Sequence, residues 1–219
     1  MSGDDLSSSD LKTQSALLDE KLIALKQGDS AADLARESYN LAYDCKDRGE
    51  RELAETNFKR VSTLYGIREP DSSETSLSEF SLVAASLNHL GLLHLEEDRC
   101  EDASIYFDKA IELRRTLQGL FPQARENQVF LGGALCNRGN ASRTNDSLAA
   151  KAFYEQSLQE LRQTEPPSES SYWDEERQSW WCPRLEAIAM ARGGMHWVYL
   201  APQFIDHAQN GLKLLEQSD

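Results

Sequence analysis

Residues 85–115, ASLNHLGLLHLEEDRCEDASIYFDKAIELRR, decide the fold of this chain of 219 residues. Leu90 and Gly91 lie in a first apolar stretch, and Ala103, Phe107 and Ala110 follow at helical spacing after the polar turn EEDRC. The same skeleton of small, aromatic and closing residues occurs twice more: Leu41, Ala42, Ala54, Phe58 and Val61, and Arg138, Gly139, Ala150, Tyr154 and Ser157. Such self-similarity predicts an array of helix pairs, in which each pair buries its apolar face against its neighbours.

The spacing of these repeats sets the limits of the array. Ala42 and Gly91 are 49 residues apart, and Gly91 and Gly139 are 48 apart. We predict three helix pairs, over about residues 30–66, 79–119 and 131–163, within one array at residues 10–165. The connecting segment GIREPDSSETS contains the Pro, Gly, Ser and Asp residues that are typical of loops, and FPQARENQ interrupts the helical pattern with a proline.

The two ends of the chain depart from the repeats. Residues 1–9 are polar and predict a disordered tail, which an extra helix follows with Leu11, Leu18, Leu22 and Leu25 on one face. Residues 166–219 predict a tryptophan-rich linker and a degenerate helical cap. Within that cap we expect a helix from Pro183 and a last helix over about residues 203–217, separated from each other by Pro202.

Three tryptophans, Trp173, Trp180 and Trp181, stand close together in the linker. On a helix, Trp173 and Trp180 would share one face, with Trp181 beside them. They would then cover the open end of the array, anchor a partner or seal a homodimer. Packing is the commonest role of tryptophan, and we expect it here.

The charge of the chain narrows the choice of partners. The formal net charge is −14 and the isoelectric point is about 4.7. Nucleic acids and anionic membranes require clustered Lys and Arg side chains, so this charge argues against both. It favours a basic partner, or else it only keeps an elongated protein in solution.

The cysteines and the first residues bear on the compartment. Cys45, Cys100, Cys136 and Cys182 are spread without a close pair, which does not match a zinc, redox or disulfide framework. The acidic first residues lack the regions of a signal peptide, and we find no apolar run of about 20 residues. We therefore expect a cytoplasmic protein.

Residues 85–115 resemble a tetratricopeptide repeat, which has an apolar and a small residue on its first helix and alanine, an aromatic residue and alanine on its second. The resemblance extends over roughly residues 31–162, although the usual period is 34 residues. The longer form is similar to arrays in bacterial signalling and scaffolding proteins, some of them attached to protein kinases. The resemblance implies an all-α fold, a right-handed superhelix of antiparallel helix pairs, whose first helices form a concave wall that holds a peptide or protein.

Carried over position by position, the resemblance nominates residues that face this groove: Tyr39, Asn40, Tyr43, Asn88, His89, Leu92, Asn137 and Asn140. An asparagine amide can donate to a peptide carbonyl and accept from an N–H group at once. Alternatively, these residues belong to a solvated polar face. The clamp with which some family members grip two carboxylates is absent, because its positions hold Tyr39, Tyr43, His89 and Gly133.

We find no catalytic or metal-binding constellation in the sequence. His89 and His94 are five residues apart, a poor spacing for joint metal ligation on a helix, and no Gly-rich phosphate loop or nucleophile elbow occurs. We therefore predict a non-catalytic interaction module that needs no cofactor. The alternatives are a dedicated chaperone of the secretion type and a small-molecule sensor or enzyme on a helical-repeat fold.

Overall fold

The computed structural model describes residues 7–24, 31–65, 68–164, 172–174, 179–181 and 197–217. These residues form eight helices and one pair of short strands. The elements are α1 (Ser8–Ala24), α2 (Ala31–Asp47), α3 (Arg51–Tyr65), α4 (Glu74–Leu95), α5 (Cys100–Leu120), α6 (Arg125–Ser142), α7 (Ser147–Arg162), β1 (Tyr172–Asp174), β2 (Ser179–Trp181) and α8 (Trp197–Glu216).

The helices pack in sequence as an α-solenoid. The pairs α2 with α3, α4 with α5 and α6 with α7 are each joined by a short turn, so their members lie side by side in opposite directions. The second helix of each pair also packs on the first helix of the next, and α4 touches both α2 and α6. This arrangement confirms the predicted all-α class, and it places α2, α4 and α6 along one face.

The repeat skeleton forms the core of the array. Phe58, Phe107 and Tyr154 are fully buried. A Cβ atom added to Gly91 would lie 2.5 Å from the ring of Phe107, and one added to Gly139 would lie 2.7 Å from the ring of Tyr154. Both glycines are therefore required by the close approach of an aromatic ring from the partner helix.

The extra helix α1 is tied to the first pair by a polar cluster. Asn57 Nδ2 donates to Ser15 Oγ at 3.1 Å, and Arg60 Nη2 lies 2.6 Å from Asp19 Oδ1. Leu11 and Leu18 of α1 are buried in the same core cluster as Phe58. Residues 1–6 of the predicted tail, and Leu25 and Gly28 at the predicted end of the helix, lie outside the described residues.

Two helices begin earlier than predicted. The helix α4 begins at Glu74, because the side chain of Ser73 caps it by accepting a hydrogen bond from the Ser76 N–H at 3.1 Å. The helix α6 begins at Arg125, within a segment predicted to be a loop. In that first turn Asn127 is buried and bonded to α5, so a tertiary contact supports the turn.

The C-terminal region differs from the prediction in two respects. Trp173 pairs with Trp180 across the antiparallel strands β1 and β2, within the segment predicted to be a linker, so the two residues do not share the face of a helix. Pro202 lies inside α8 and does not divide it from a preceding helix. The missing N–H of Pro202 removes one helical bond, which the packing of Ala201 and Ala208 on α6 and α7 outweighs. Most of the helix predicted from Pro183 lies outside the described residues.

Candidate functional site

A cleft of about 720 Å³ opens along the face formed by the first helices. We call it the central cleft. Its walls are formed by Tyr39 of α2, residues Leu77, Ser81 and Ala85 of α4, Arg114 of α5, and Glu126, Asn127 and Phe130 of α6. It thus joins three successive first helices, with one cation reaching it from a second helix.

Arg114 is the most unusual side chain of the central cleft, because it is charged and only 4% exposed. Its Nη1 donates to Asn127 Oδ1 at 3.1 Å, and its Nη2 donates to the Ser81 carbonyl at 3.1 Å. The guanidinium carbon lies 5.0 Å from the centre of the Phe130 ring. Asn127 Nδ2 donates back to the Arg114 carbonyl at 2.8 Å, which fixes both side chains.

Burial shifts the pKa values of the titratable groups in this cleft. It lowers the pKa of Arg114 to about 10, although the carboxylate of Glu126 and then Tyr39 oppose the change. It raises the pKa of Glu126, which Arg114 opposes. Burial also raises the pKa of Tyr39 well above its usual range. Arg114 thus stays a cation at neutral pH and supplies a positive centre inside the cleft.

Three of the predicted groove residues form an aromatic cluster. The ring of His89 lies 4.9 Å from that of Tyr43 and 6.0 Å from that of Tyr39. It also stacks on Phe58, with ring centres 5.1 Å apart and planes 15° from parallel. Burial, and then the charge of Lys46, lowers the pKa of His89 to about 4, so the imidazole is neutral at physiological pH.

The predicted asparagines of α4 and α6 bond within the protein. Asn137 Nδ2 donates to Asn88 Oδ1 at 3.0 Å, which ties α6 to α4 across the wall of first helices. Asn140 Oδ1 accepts from the hydroxyl of Tyr154 at 2.7 Å. These amides retain only part of their hydrogen-bonding capacity for a ligand.

The other two predicted groove residues lie elsewhere. Asn40 is exposed in a separate cleft of about 320 Å³ between α1 and α2, beside Gln14 and Lys21. Leu92 is partly buried and packs against the cluster that contains Ala103 and Phe107. Of the eight predicted groove residues, Tyr39 lines the central cleft and the other seven do not.

Sequence reasoning missed Arg114, Glu126 and Phe130. Arginine on an amphipathic helix is usually read as part of its solvated face, and residues 121–128 were expected to form a loop. One signal was available in the repeats themselves. Alignment of the second helices on Ala54, Ala103 and Ala150 places Arg114 at the position of Tyr65 and Leu161, which are both buried.

The cysteines and potential metal ligands of the described residues show no reactive arrangement. Cys45, Cys100 and Cys136 are unpaired thiols. Burial raises the pKa of Cys45 to about 11 and that of Cys136 to about 12, so both thiols are protonated at neutral pH. No group of three or more His, Cys, Asp or Glu side chains in the described ranges could hold a metal ion. None of the described helices has the length and apolar character that crossing a membrane requires.

Comparison with known proteins finds a likeness in fold and none in sequence family. No family model and no curated protein matches the chain. The crystal structure of BtubC (BKLC) from P. vanneervenii matches with a TM-score of 0.53 and 18% identity, over 94% of this chain and 75% of that one. A designed helical repeat protein, DHR64, matches with a TM-score of 0.35 and 12% identity, over 95% of this chain and 94% of that one. The likeness to BtubC concerns the fold alone, and the packing of successive helix pairs makes this chain an α-solenoid.

Proposed function

We propose that this protein is a non-catalytic interaction scaffold of the tetratricopeptide type, which binds an extended or helical segment of a partner protein along α2, α4 and α6. The negative charge of the chain favours a partner segment with net positive charge, and its unpaired cysteines favour a cytoplasmic setting. Concave surfaces of helical-repeat proteins commonly serve for binding.

The observation that carries this proposal is the open central cleft. The next cleft along the array is filled by the protein itself, because Phe204 of α8 packs against Gly133 of α6 and a Cβ atom there would lie 2.7 Å from its ring. In the repeat alignment Gly133 corresponds to Ala85, which lines the open cleft. A side chain from a partner segment can therefore occupy at Ala85 the kind of space that Phe204 occupies at Gly133.

A peptide-display selection tests the proposal. Peptides are selected on the wild-type protein and then measured on Ala85→Trp, which fills the central cleft. The matched control is Ala152→Trp, at an exposed position of α7 that does not line the cleft. Circular dichroism and melting curves establish that both variants fold.

We expect the selected peptides to lose affinity for Ala85→Trp and to keep it for Ala152→Trp. Equal binding to both variants would show that the peptides attach elsewhere, and failure to select any peptide would likewise contradict a groove-binding scaffold.

A further inference from the structure

The central cleft contains a buried cation that no carboxylate of the described residues neutralises by an ion pair. Its hydrogen-bond acceptors, Asn127 Oδ1 and the Ser81 carbonyl, are both neutral. The other buried arginine in the described ranges, Arg60, differs in this respect, because its Nη2 lies 2.6 Å from Asp19 Oδ1. Buried charges in proteins are normally paired, so Arg114 requires an explanation.

Packing alone does not explain Arg114. The equivalent residues of the flanking repeats, Tyr65 and Leu161, are 2% exposed and complete apolar clusters. An apolar residue would fill the position of Arg114 without the cost of removing a charge from water. For this reason, proteins in which a buried ionic group is replaced by a hydrophobic one are often as stable as the original or more stable. We therefore expect the positive charge and N–H donors of the guanidinium, which an apolar side chain lacks, to interact with a ligand.

The geometry leaves Arg114 able to take an anion. Two of its N–H groups are bonded within the protein, and the remaining donors have no acceptor among the described residues. The side chain lines the cleft, so a ligand there can reach it. Its bonds to Asn127 and Ser81 hold the guanidinium in one orientation before a ligand arrives, which lowers the entropic cost of binding.

The central cleft contains two charged side chains, Arg114 and Glu126, and their different exposure indicates whether a ligand there is an anion or a cation. Glu126 also lines the cleft and attracts Arg114 without forming an ion pair with it. Burial raises the pKa of Glu126, but its side chain stays far more exposed to water than that of Arg114. Arg114 is almost completely excluded from water. An incoming anion relieves the larger desolvation penalty, whereas an incoming cation would meet Arg114 at close range.

We propose that the central cleft binds the side-chain carboxylate of an Asp or Glu residue in the partner segment, which pairs with the guanidinium of Arg114. This inference rests on the proposed function and specifies the chemistry of its ligand. The site differs from a two-carboxylate clamp on the first helices, because Arg114 reaches the cleft from the second helix α5. The rest of the segment can be basic, since the surface charge of the protein is screened over about 8 Å in physiological salt.

The test uses peptides from the display selection with amidated C-termini, so that only side-chain carboxylates are present. Affinities are measured for the wild type, Arg114→Leu, Arg114→Lys and Glu126→Gln. We expect replacement of the acidic peptide residue by its amide to weaken binding roughly ten- to a hundredfold, and Arg114→Leu to do the same. Arg114→Lys should restore part of the affinity, because it keeps the charge without the planar fork.

Glu126→Gln reports the sign of the ligand charge. Removal of this carboxylate should strengthen binding of an acidic peptide severalfold, whereas it would weaken binding of a basic one. If Arg114→Leu fails to fold, the amide form of the peptide still tests the pairing on the unaltered protein.

The inference and the proposed function fail in different ways. Peptides that lose binding to Ala85→Trp but tolerate the amide replacement would overturn the carboxylate site and leave the groove in place. Weaker binding to Glu126→Gln would also overturn it. Peptides that bind Ala85→Trp as well as the wild type would instead overturn the proposed function, and the carboxylate site with it.

Discussion

Two successive junctions of this array have the same architecture but different contents. At the C-terminal junction, where α8 covers α6 and α7, Val129, Leu161 and Ala201 form a buried apolar cluster. At the central junction, where α6 covers α4 and α5, the positions of Val129 and Leu161 are held by Ser81 and Arg114. The C-terminal junction is closed by Phe204, and the central junction is open and lined by the cation of Arg114.

Under the function proposed above, this difference separates the junctions that stabilise the array from the junction that binds a ligand. Each helix pair is stabilised mainly by its neighbours, so one junction can be polar and open while the adjoining ones remain well packed. Tyr65 at the first junction packs on Phe80, with ring centres 5.9 Å apart, and thus resembles the C-terminal junction. The central junction is the polar member of the three, and we place the ligand there.

The largest effect is expected when the cation of the central junction is transferred to the C-terminal one. Leu161→Arg puts a charge among Val129, Ala201 and Phe204, the apolar side chains of the cluster that contains Leu161. We expect the free energy of unfolding to fall by about 3 to 5 kcal/mol. Urea denaturation measures the loss, with Leu161→Met as the control that keeps the volume and should cost less than about 1.5 kcal/mol. If Leu161→Arg lowered the free energy of unfolding by less than Leu161→Met, the C-terminal junction would tolerate a charge as well as the central junction does.

The buried imidazole of His89 makes stability depend on pH. Its pKa is lowered to about 4 in the folded state against 6.5 in the unfolded chain, so the unfolded state binds more protons between these values. The contribution of His89 to stability is therefore complete above pH 6.5 and is lost as the pH falls towards 4, by about 3 kcal/mol in total. Denaturation midpoints at several pH values should show this loss for the wild type and a smaller one for His89→Phe. If the denaturation midpoints of the wild type and of His89→Phe fell equally with pH, His89 would not be the cause of the pH dependence.

The close packing of the C-terminal junction is tested at Gly133. A Cβ atom there would lie 2.7 Å from the ring of Phe204, so we expect Gly133→Ala to destabilise the protein by about 1 to 2 kcal/mol. The matched change is Gly119→Ala in α5, where no atom lies within 4 Å of the added Cβ. That variant should instead gain about 0.5 to 1 kcal/mol from helix propensity. Thermal melting compares the two variants, and a gain at both would contradict a tightly filled C-terminal junction.

A smaller effect is expected for the amide pair of the first helices. The bond between Asn137 and Asn88 is only partly buried, so a double-mutant cycle with alanine should give a coupling of about 0.5 to 1 kcal/mol. The single variants and the double variant are compared by urea denaturation. A coupling of zero would mean that the two amides are independent and available to a ligand.

The smallest effect is expected for Arg114→Leu in the absence of a ligand. Removal of the buried charge offsets the loss of its bonds to Asn127 and Ser81, so stability should stay within about 1 kcal/mol of the wild type. This near neutrality contrasts with the large loss for Leu161→Arg and is measured in the same denaturation series. A loss of several kcal/mol would show that Arg114 acts chiefly in packing.

The sequence predicted the parts of the fold that follow from the repeats. Gly91 with Phe107 and Gly139 with Tyr154 were identifiable because a small residue and an aromatic one recur at a fixed spacing. The all-α class and the extra helix at the N-terminus followed from the same periodicity. These features depend on local sequence pattern and on contacts between neighbouring helices. Because the same pattern recurs in each repeat, the sequence contains several copies of the evidence for it.

The features that were missed depend on tertiary context. The start of α6 follows from contacts of Asn127 with α5, and Pro202 is tolerated because α8 is held by packing. Arg114 was overlooked because a charged residue predicts exposure, whereas here the neighbouring helices enclose it. Asn40 was grouped with Asn137 by position, yet the structure places it in a different cleft, beside α1.

The most direct test of the central claim is a double-mutant cycle between Arg114 and the acidic residue of a selected peptide. Isothermal titration gives the affinity of the wild type and of Arg114→Leu for the acidic peptide and for its amide form. We predict that the two changes together weaken binding no more than either alone, with a coupling of about 1.5 to 3 kcal/mol. Losses that simply add would contradict direct pairing and remove the central cleft as the site where the carboxylate binds.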